Sequence, residues 1–477
     1  MMHKPIQFQS LSLAFPHKTC FDDFSGQITY GSRIAIVGRN GSGKSTLLKW
    51  FARLMDPSDG EIKYPAGCLI GYVPQIIDAF DSFSGGQRFN KALTEALSLH
   101  SNVLLLDEPT NHLDSNNRRS LIRMLRAFDG TLIMVTHDVE LLDETAETIW
   151  HIDNGRVAVF SGSYSDYQHE TRIKRAAIAE ELADLNRKKN QAHQKLMQEQ
   201  TRAKNSRIRG EKHIKQRKWP TIVSDAKARN AQETSGRKKS AINEKRHELL
   251  ERLSECRIPE VIQPKFVINS VENKQTLVTI RNGSIGYEEN SPILQHLSLS
   301  IKSGERIAIQ GDNGSGKSSL VKAILDDSSI IKQGEWILLS SQEIGYLDQH
   351  YANLSHDLTV LDTLSPLLSD KSYIEIRKFL NDFLFRKNEE VLAKVSTLSG
   401  GEKARLSLAQ IAAITPKLLI LDELTNNLDL ETREHVIQVL QNYPGAMLVI
   451  SHDTDFLTAI KIADRFILKD GLLGLMH

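Results

Sequence analysis

The chain has 477 residues, 60 of them Lys or Arg and 59 Asp or Glu, with 40% hydrophobic residues. That length allows about three domains of ordinary size, and the composition is that of a chain able to bury a sizeable core. No apolar run approaches the ~18 residues that span a bilayer, no signal-peptide pattern opens the chain, and Cys20, Cys68 and Cys256 are scattered, so reduced thiols in a cytoplasmic setting are expected.

In chain order the first informative element is the apolar run "RIAIV", followed by "GRNGSGKST" at 38–46. The run predicts a strand, the glycines a turn and the apolar-periodic stretch beyond them a helix. That is the setting in which G-x-x-x-x-G-K-[ST] binds phosphate. Gly38, Gly41 and Gly43, with Asn40 and Thr46 in the same loop, would turn backbone N–H groups toward phosphate oxygens at a helix N-terminus. Lys44 would reach the β- and γ-phosphates, and Ser45 would hold Mg2+. "VLLLDEPTNHLD" at 103–114 is an apolar strand ending in two carboxylates, a costly arrangement unless a cation sits there. Asp107 suits the Mg2+ shell, and Glu108 suits a base that orients the attacking water. "FSGGQ" (83–87) precedes this strand and "VTHD" (135–138) follows it.

From Tyr164 to Arg209 there is neither Gly nor Pro, which predicts one helix about 69 Å long. Ile178, Leu182, Leu185, Ala192 and Leu196 recur at 4-3-7-4 spacing, a seam for a single partner helix. Trp219–Pro220 breaks the pattern, and a second helical stretch runs to about Cys256 with Ile242, Leu249 and Leu253 facing the first. The expectation is an antiparallel hairpin. Between Arg172 and Arg252 there are 23 Lys or Arg and 10 Asp or Glu, a net charge of +13 that leaves −12 on the rest. At the expected tip, Arg202, Lys204, Arg207, Arg209, Lys212, Lys215, Arg217 and Lys218 meet one Glu, a net of +7. With His213 and Trp219 able to stack on bases, the tip reads as a contact for a polyanion.

The remainder repeats the first part. "RIAIQ" leads into "GDNGSGKSS" at 311–319, with Gly311, Asn313, Gly314, Gly316, Lys317, Ser318 and Ser319 in the corresponding places. "LSGGE" (398–402), "LLILDELTNNLD" (418–429, with Asp422 and Glu423) and "ISHD" (450–453) follow. The expected domains are 1–163, 164–262 and 263–477. The copies are not equal in length: Lys44 to Lys317 is 273 residues, whereas Glu108 to Glu423 is 315. The difference lies between Gln349 and Leu398, a stretch matched in the first copy only by "IIDAFDS" at 76–82. Seven residues cannot make two or three helices, so the first copy should lack a small helical subdomain. Leu424 also stands where the first copy has Pro109.

Taken together, these motifs resemble those of tandem ATP-binding-cassette proteins. "DEPTNHLD" on a chain with two cassettes and no membrane segment is similar to the ABC-F branch in particular. The resemblance implies two P-loop α/β domains, each a mixed sheet with flanking helices, joined by a long helical hairpin. It implies that the Ser-Gly-Gly element of one cassette closes over nucleotide held by the other, in a monomer. Lys44 would share a site with Ser399, Gly400 and Gly401, and Lys317 with Ser84, Gly85 and Gly86. His137 and His452 would sense the γ-phosphate, Gln75 and Gln349 would contact Mg2+ or water, and adenine would stack on Phe15 and Tyr287. The implied activity is hydrolysis of ATP to ADP and phosphate at two composite sites. The implied partner is the ribosome, with the linker reaching toward the peptidyl-transfer centre and the P-site tRNA, in a ribosome-protection (antibiotic-resistance) or translation factor. Two other readings compete: the ATP-binding subunit of a membrane exporter, and a DNA-directed ATPase. In transporter cassettes the helical subdomain docks on the membrane domains, so its loss from the first copy counts against the exporter.

Overall fold

Strands buried on both faces carry unbroken apolar runs; Leu104, Leu105 and Leu106 in one half and Leu419, Ile420 and Leu421 in the other are completely buried. The computed structural model describes residues 4–15, 18–75, 85–98, 100–111, 113–153, 155–215, 275–289, 291–348, 351 and 353–475. It divides into two units, Met1–Tyr167 with Val261–His477, and Gln168–Glu260.

The first half runs β1 (Ile6–Phe15), β2 (Lys18–Ile28), β3 (Arg33–Gly38), α1 (Lys44–Phe51), β4 (Asp59–Lys63), β5 (Ile70–Val73), α2 (Gly85–Ser98), β6 (Val103–Asp107), α3 (Ser115–Arg126), β7 (Thr131–Val135), α4 (Val139–Thr145), β8 (Thr148–Asp153) and β9 (Arg156–Ser161). Its central sheet has the order β5-β6-β7-β3-β8-β9, parallel except for β9, and β2-β1-β4 form a separate antiparallel sheet. The two sheets enclose α1 and an aromatic cluster in which Phe8, Phe24, Phe51 and Trp150 meet at centroid distances from 4.8 Å (Phe8–Phe24) to 5.9 Å (Phe51–Trp150). Such pairs add about 0.5–1.5 kcal/mol each beyond area burial.

Next comes α5 (Tyr164–Lys215), 52 residues long. Along it Leu182, Leu185, Ala192 and Leu196 are buried, the spacing anticipated for a seam. The second arm expected at 221–256 lies outside the described residues.

The second half repeats the first: β10 (Thr276–Glu288), β11 (Ser291–Lys302), β12 (Arg306–Gln310), α6 (Lys317–Ile324), β13 (Ile331–Ile337), β14 (Ile344–Asp348), α7 (Val360–Leu364), α8 (Tyr373–Asp382), α9 (Asn388–Val391), α10 (Gly400–Ile414), β15 (Leu418–Asp422), α11 (Leu430–Gln441), β16 (Ala446–Ile450), α12 (Thr454–Ala459), β17 (Asp464–Lys469) and β18 (Leu472–Leu475). The order β14-β15-β16-β12-β17-β18 is that of the first sheet, strand for strand. The fold is therefore the one the motifs implied, two α/β domains with mixed sheets and a helical segment between them. The segment α7 to α9, which buries Leu380, Phe383 and Phe385, has no counterpart among the described residues of the first half, where only 76–84 separate Gln75 from α2.

One device recurs at the base of each sheet. Arg33 donates to the carbonyls of Leu125, Arg126 and Phe128, and Arg306 to those of Gln441, Tyr443 and Ile460. Both arginines satisfy carbonyls that a helix end leaves unpaired. Leu421→Ala removes a side chain with no solvent exposure and should lower stability by about 2–5 kcal/mol, read as an earlier thermal unfolding midpoint by circular dichroism.

Candidate nucleotide-binding sites

In each half the phosphate loop leaves a central strand and enters a helix, through glycines whose backbone angles are closed to other residues. Gly43 has φ +95°, and a Cβ there would stand 2.5 Å from Leu13 Cδ2; Gly316 has φ +98° and would meet Leu294 Cδ2 at 2.9 Å. The loops curl around buried ammonium groups. Lys44 Nζ donates to the carbonyls of Gly38 (2.8 Å) and Arg39 (3.0 Å), and Lys317 Nζ to those of Gly311 (2.6 Å) and Asp312 (3.0 Å). A cavity of about 250 Å3 beside the first loop is lined by Asn40, Gly41, Gly43, Lys44, Ser45, Thr46, Gln75 and Glu108. Its counterpart, about 620 Å3, is lined by Tyr287, Asn313, Gly314, Gly316, Lys317, Ser318, Ser319, Asp422 and Glu423, among others. Tyr287 is half-exposed, with its hydroxyl 3.3 Å from Ser319 Oγ.

β6 and β15 deliver Asp107 and Asp422 as their last residues. Ser45 Oγ donates to Asp107 Oδ1 at 3.1 Å, and the Tyr346 hydroxyl to Asp422 Oδ2 at 3.4 Å. Burial pushes both carboxyls above the usual range; Ser45 and Lys44 oppose the rise at Asp107, whereas Glu423 adds to it at Asp422. Among the described residues no group of three or more His, Cys, Asp or Glu could hold a metal by itself. A hydroxyl and a carboxylate completed by phosphate oxygens is nevertheless a donor set that Mg2+ accepts, and Ser45 with Asp107 fits it.

The residue after each Asp is strained. Glu108 has φ +49° and Glu423 φ +48°, a left-handed conformation that side chains adopt sparsely and that clusters at functional sites. Each is held there by its own N–H, donated to Val135 O at 2.8 Å and Ile450 O at 2.9 Å. Leu424 is buried, as Pro109 is, so the substitution at that position leaves Glu423 in the conformation of Glu108. His137 Nε2 stands 3.1 Å from Glu108 Oε1. Burial raises the Glu108 carboxyl against the pull of Lys44, and burial with Lys44 depresses the His137 imidazole. His452 is depressed in the same way, by burial and then Lys317.

Residues from the second half complete the surroundings of the first loop. The Asn40 N–H donates to Asp429 Oδ2 at 3.1 Å. Arg39 forms a two-pronged ion pair with Glu431, at 2.5 Å from Nε and 2.9 Å from Nη2. Leu430 packs against the core that contains Leu106 and Leu113. A methyl group on Gly400, at the start of α10, would lie 3.8 Å from Asn40 Nδ2. Ser399 caps α10, its hydroxyl 2.7 Å from the Glu402 carboxylate. From the other side, Asp114 acts on Lys317: burial lowers the ammonium, while Glu423, Asp422, Asp312 and Asp114 oppose it. The positions matching Arg39, Leu430 and Glu431 are Asp312, Ser115 and Asn116, which cannot make the same ion pair.

Ser84, Gln349, Arg217, Lys218 and Trp219 lie outside the described residues, as do the side chains of Phe15, Arg207, Lys212, His213 and Lys215. Gly85 and Gly86 begin α2. Arg202, Lys204 and Arg209 are exposed on α5. Sequence reasoning assigned no role to Arg39, Asp114, Asp429, Leu430 or Glu431. Asp114 and Asp429 do close the two repeated motifs, a signal that could have found them; Arg39 and Glu431, 392 residues apart, carry none.

A family model described as "ABC transporter" matches residues 21–67 and 294–426, and a model described as an AAA domain matches 79–143. The chain is 31% identical over 461 residues to the erythromycin resistance ATP-binding protein MsrA of Staphylococcus epidermidis, covering 89% of each chain. It is 27% identical over 500 residues to the ribosome protection protein VmlR of Bacillus subtilis, covering 99% of this chain and 88% of that one. The ATP-binding protein Uup of Buchnera aphidicola is 27% identical over 526 residues, 98% and 81% of the two chains.

Two outcomes follow from this geometry. If Glu108 serves as the base, ATP turnover should climb with pH above the ordinary carboxylate range, because burial raises its carboxyl; Glu108→Gln should abolish that rise in a pH–rate profile. Glu431→Lys should raise the KM for ATP by up to about fivefold, as befits a partly exposed ion pair, and adding Arg39→Glu should restore it.

Proposed function

The chain belongs to the ABC-F family of tandem ATP-binding-cassette ATPases, and from that membership we propose that it hydrolyses ATP at two composite sites and works on the ribosome as a protection or translation factor. The observation that carries the composite reading is the meeting of Asn40 with Asp429 and Gly400 across the two halves. A γ-phosphate at Lys44 would face the capped N-terminus of α10, whose dipole favours an anion. Glu108 would orient water for in-line attack, His137 would contact the γ-phosphate, and Lys44 would neutralise charge on the phosphates. Mg2+, held by Ser45, Asp107 and Gln75, would shield the developing negative charge. The same roles pass to Glu423, His452, Lys317, Ser318 and Asp422.

For the ribosome the support is of two kinds. MsrA and VmlR carry resistance and ribosome protection in their names, and the segment between the cassettes concentrates a net +13. Among the described residues no helix is long and apolar enough to cross a membrane. A cationic helical arm gains RNA affinity by counterion release and loses it with salt. The arm would reach rRNA and tRNA when ATP closes the cassettes, and withdraw after hydrolysis.

The test is co-sedimentation of a Glu108→Gln, Glu423→Gln double variant with ribosomes. Pelleting that requires ATP, and that is lost when the eight basic residues of 202–218 are neutralised, is the expected result. Pelleting independent of nucleotide, or none, would sink the proposal.

A further inference from the structure

The helix after each strand-end motif carries an arginine that none of the roles above uses. In α3, Arg118 Nη2 binds Asp138 Oδ1 at 2.5 Å and Glu140 Oε2 at 3.0 Å. In α11, Arg433 grips Asp453 with Nε and Nη2, at distances from 2.9 to 3.2 Å. Asp138 and Asp453 are the residues immediately after His137 and His452. Each also caps the following helix, accepting from Leu141 N at 3.0 Å and from Phe456 N at 2.8 Å. Its own N–H donates to Thr136 Oγ1 or Ser451 Oγ, both at 3.1 Å. The loop that presents each His is thus fastened through the aspartate that follows the His.

The arginines are poorly exposed, at 16% for Arg118 and 12% for Arg433, so the pairs are not loose surface contacts. Each arginine lies one helical turn beyond Asp114 or Asp429, which caps the same helix. Asp429 rests on the phosphate loop of the opposite cassette through Asn40. Arg433 therefore links the His loop of its own cassette to a helix whose first turn is seated on the other one, and Arg118 ties its own His loop to the corresponding helix.

We propose that Arg118 and Arg433 are positioning residues that set His137 and His452 for ATP hydrolysis when the cassettes are seated together. The proposal rests on the reading of both sites as ATPase centres. Neither arginine touches the phosphate loop of its own cassette in the structure; each acts through the aspartate it holds.

The experiment compares Arg118→Ala, Arg118→Lys, Asp138→Asn and the Arg118→Ala, Asp138→Asn double variant in the full chain. Steady-state ATP turnover, binding of a fluorescent ATP analogue and thermal midpoint are measured for each. A misplaced group costs on the order of 10- to 100-fold in rate, so kcat should fall by that amount in Arg118→Ala while KM and analogue binding stay within about twofold. Arg118→Lys should fall between, and the double variant should be no worse than Arg118→Ala, because both changes cut one link. Full turnover in Arg118→Ala, losses that add in the double variant, or a parallel loss of analogue binding and thermal midpoint would each overturn the positioning role. The Glu108→Gln, Glu423→Gln variant separates the two readings. If it hydrolyses ATP at the unmodified rate, the site assignment itself fails; if it is inactive while Arg118→Ala keeps full turnover, only the arginine's role fails.

Discussion

Each cassette gathers a buried ammonium and two buried or partly buried carboxylates near the carboxyl end of an apolar strand. Uncompensated, such burial costs several kcal/mol per ion. Lys44 and Lys317 answer it with paired backbone carbonyls, and Asp107 with the Ser45 hydroxyl. Glu108 and Glu423 each sit in a left-handed turn and line the cavity. Glycines that nothing larger could replace, arginines capping helix ends behind the sheet and strands buried on both faces serve to keep these charges where phosphate and a divalent cation would complete them.

Around that shared centre the two halves have diverged at the periphery. The sheets keep one strand order, yet where the first half packs Phe8, Phe24 and Phe51 around Trp150, the second uses Ile280, Leu297 and Ile324 with Phe466. The second half inserts the helices that bury Phe383 and Phe385. Cores tolerate such exchange when volume and pattern are kept, whereas the phosphate loop and the strand-end acids have no substitute chemistry.

Much of this was legible in the sequence because it is local. A glycine spacing, an apolar run and the acids that end it are each contained within a dozen residues, and the repeat of all of them with one sheet order made the fold readable. The seam on α5 was readable too, since Leu182, Leu185, Ala192 and Leu196 follow a fixed period. What escaped is non-local or conformational. Nothing in the letters "DE" says that the Glu sits at φ +49°, because that angle is imposed by a hydrogen bond to a neighbouring strand. Arg39 and Glu431 meet only after both sheets have formed. Arg118 and Asp138, 20 residues apart, likewise pair only once their two helices have packed.

The unequal rims of the two interfaces bear on which halves can associate at all. Two copies of the second cassette would face Asp312 with Glu431 at both junctions, acid against acid, and Asp114 would be replaced by a second Asp429. Two copies of the first would set Arg39 against Asn116 and lose the apolar plug of Leu430. Only the mixed pair gives Arg39 its counterion. Discrimination by repulsion as well as attraction is how related surfaces avoid one another's company, and here it favours the pairing of unlike halves over that of identical ones.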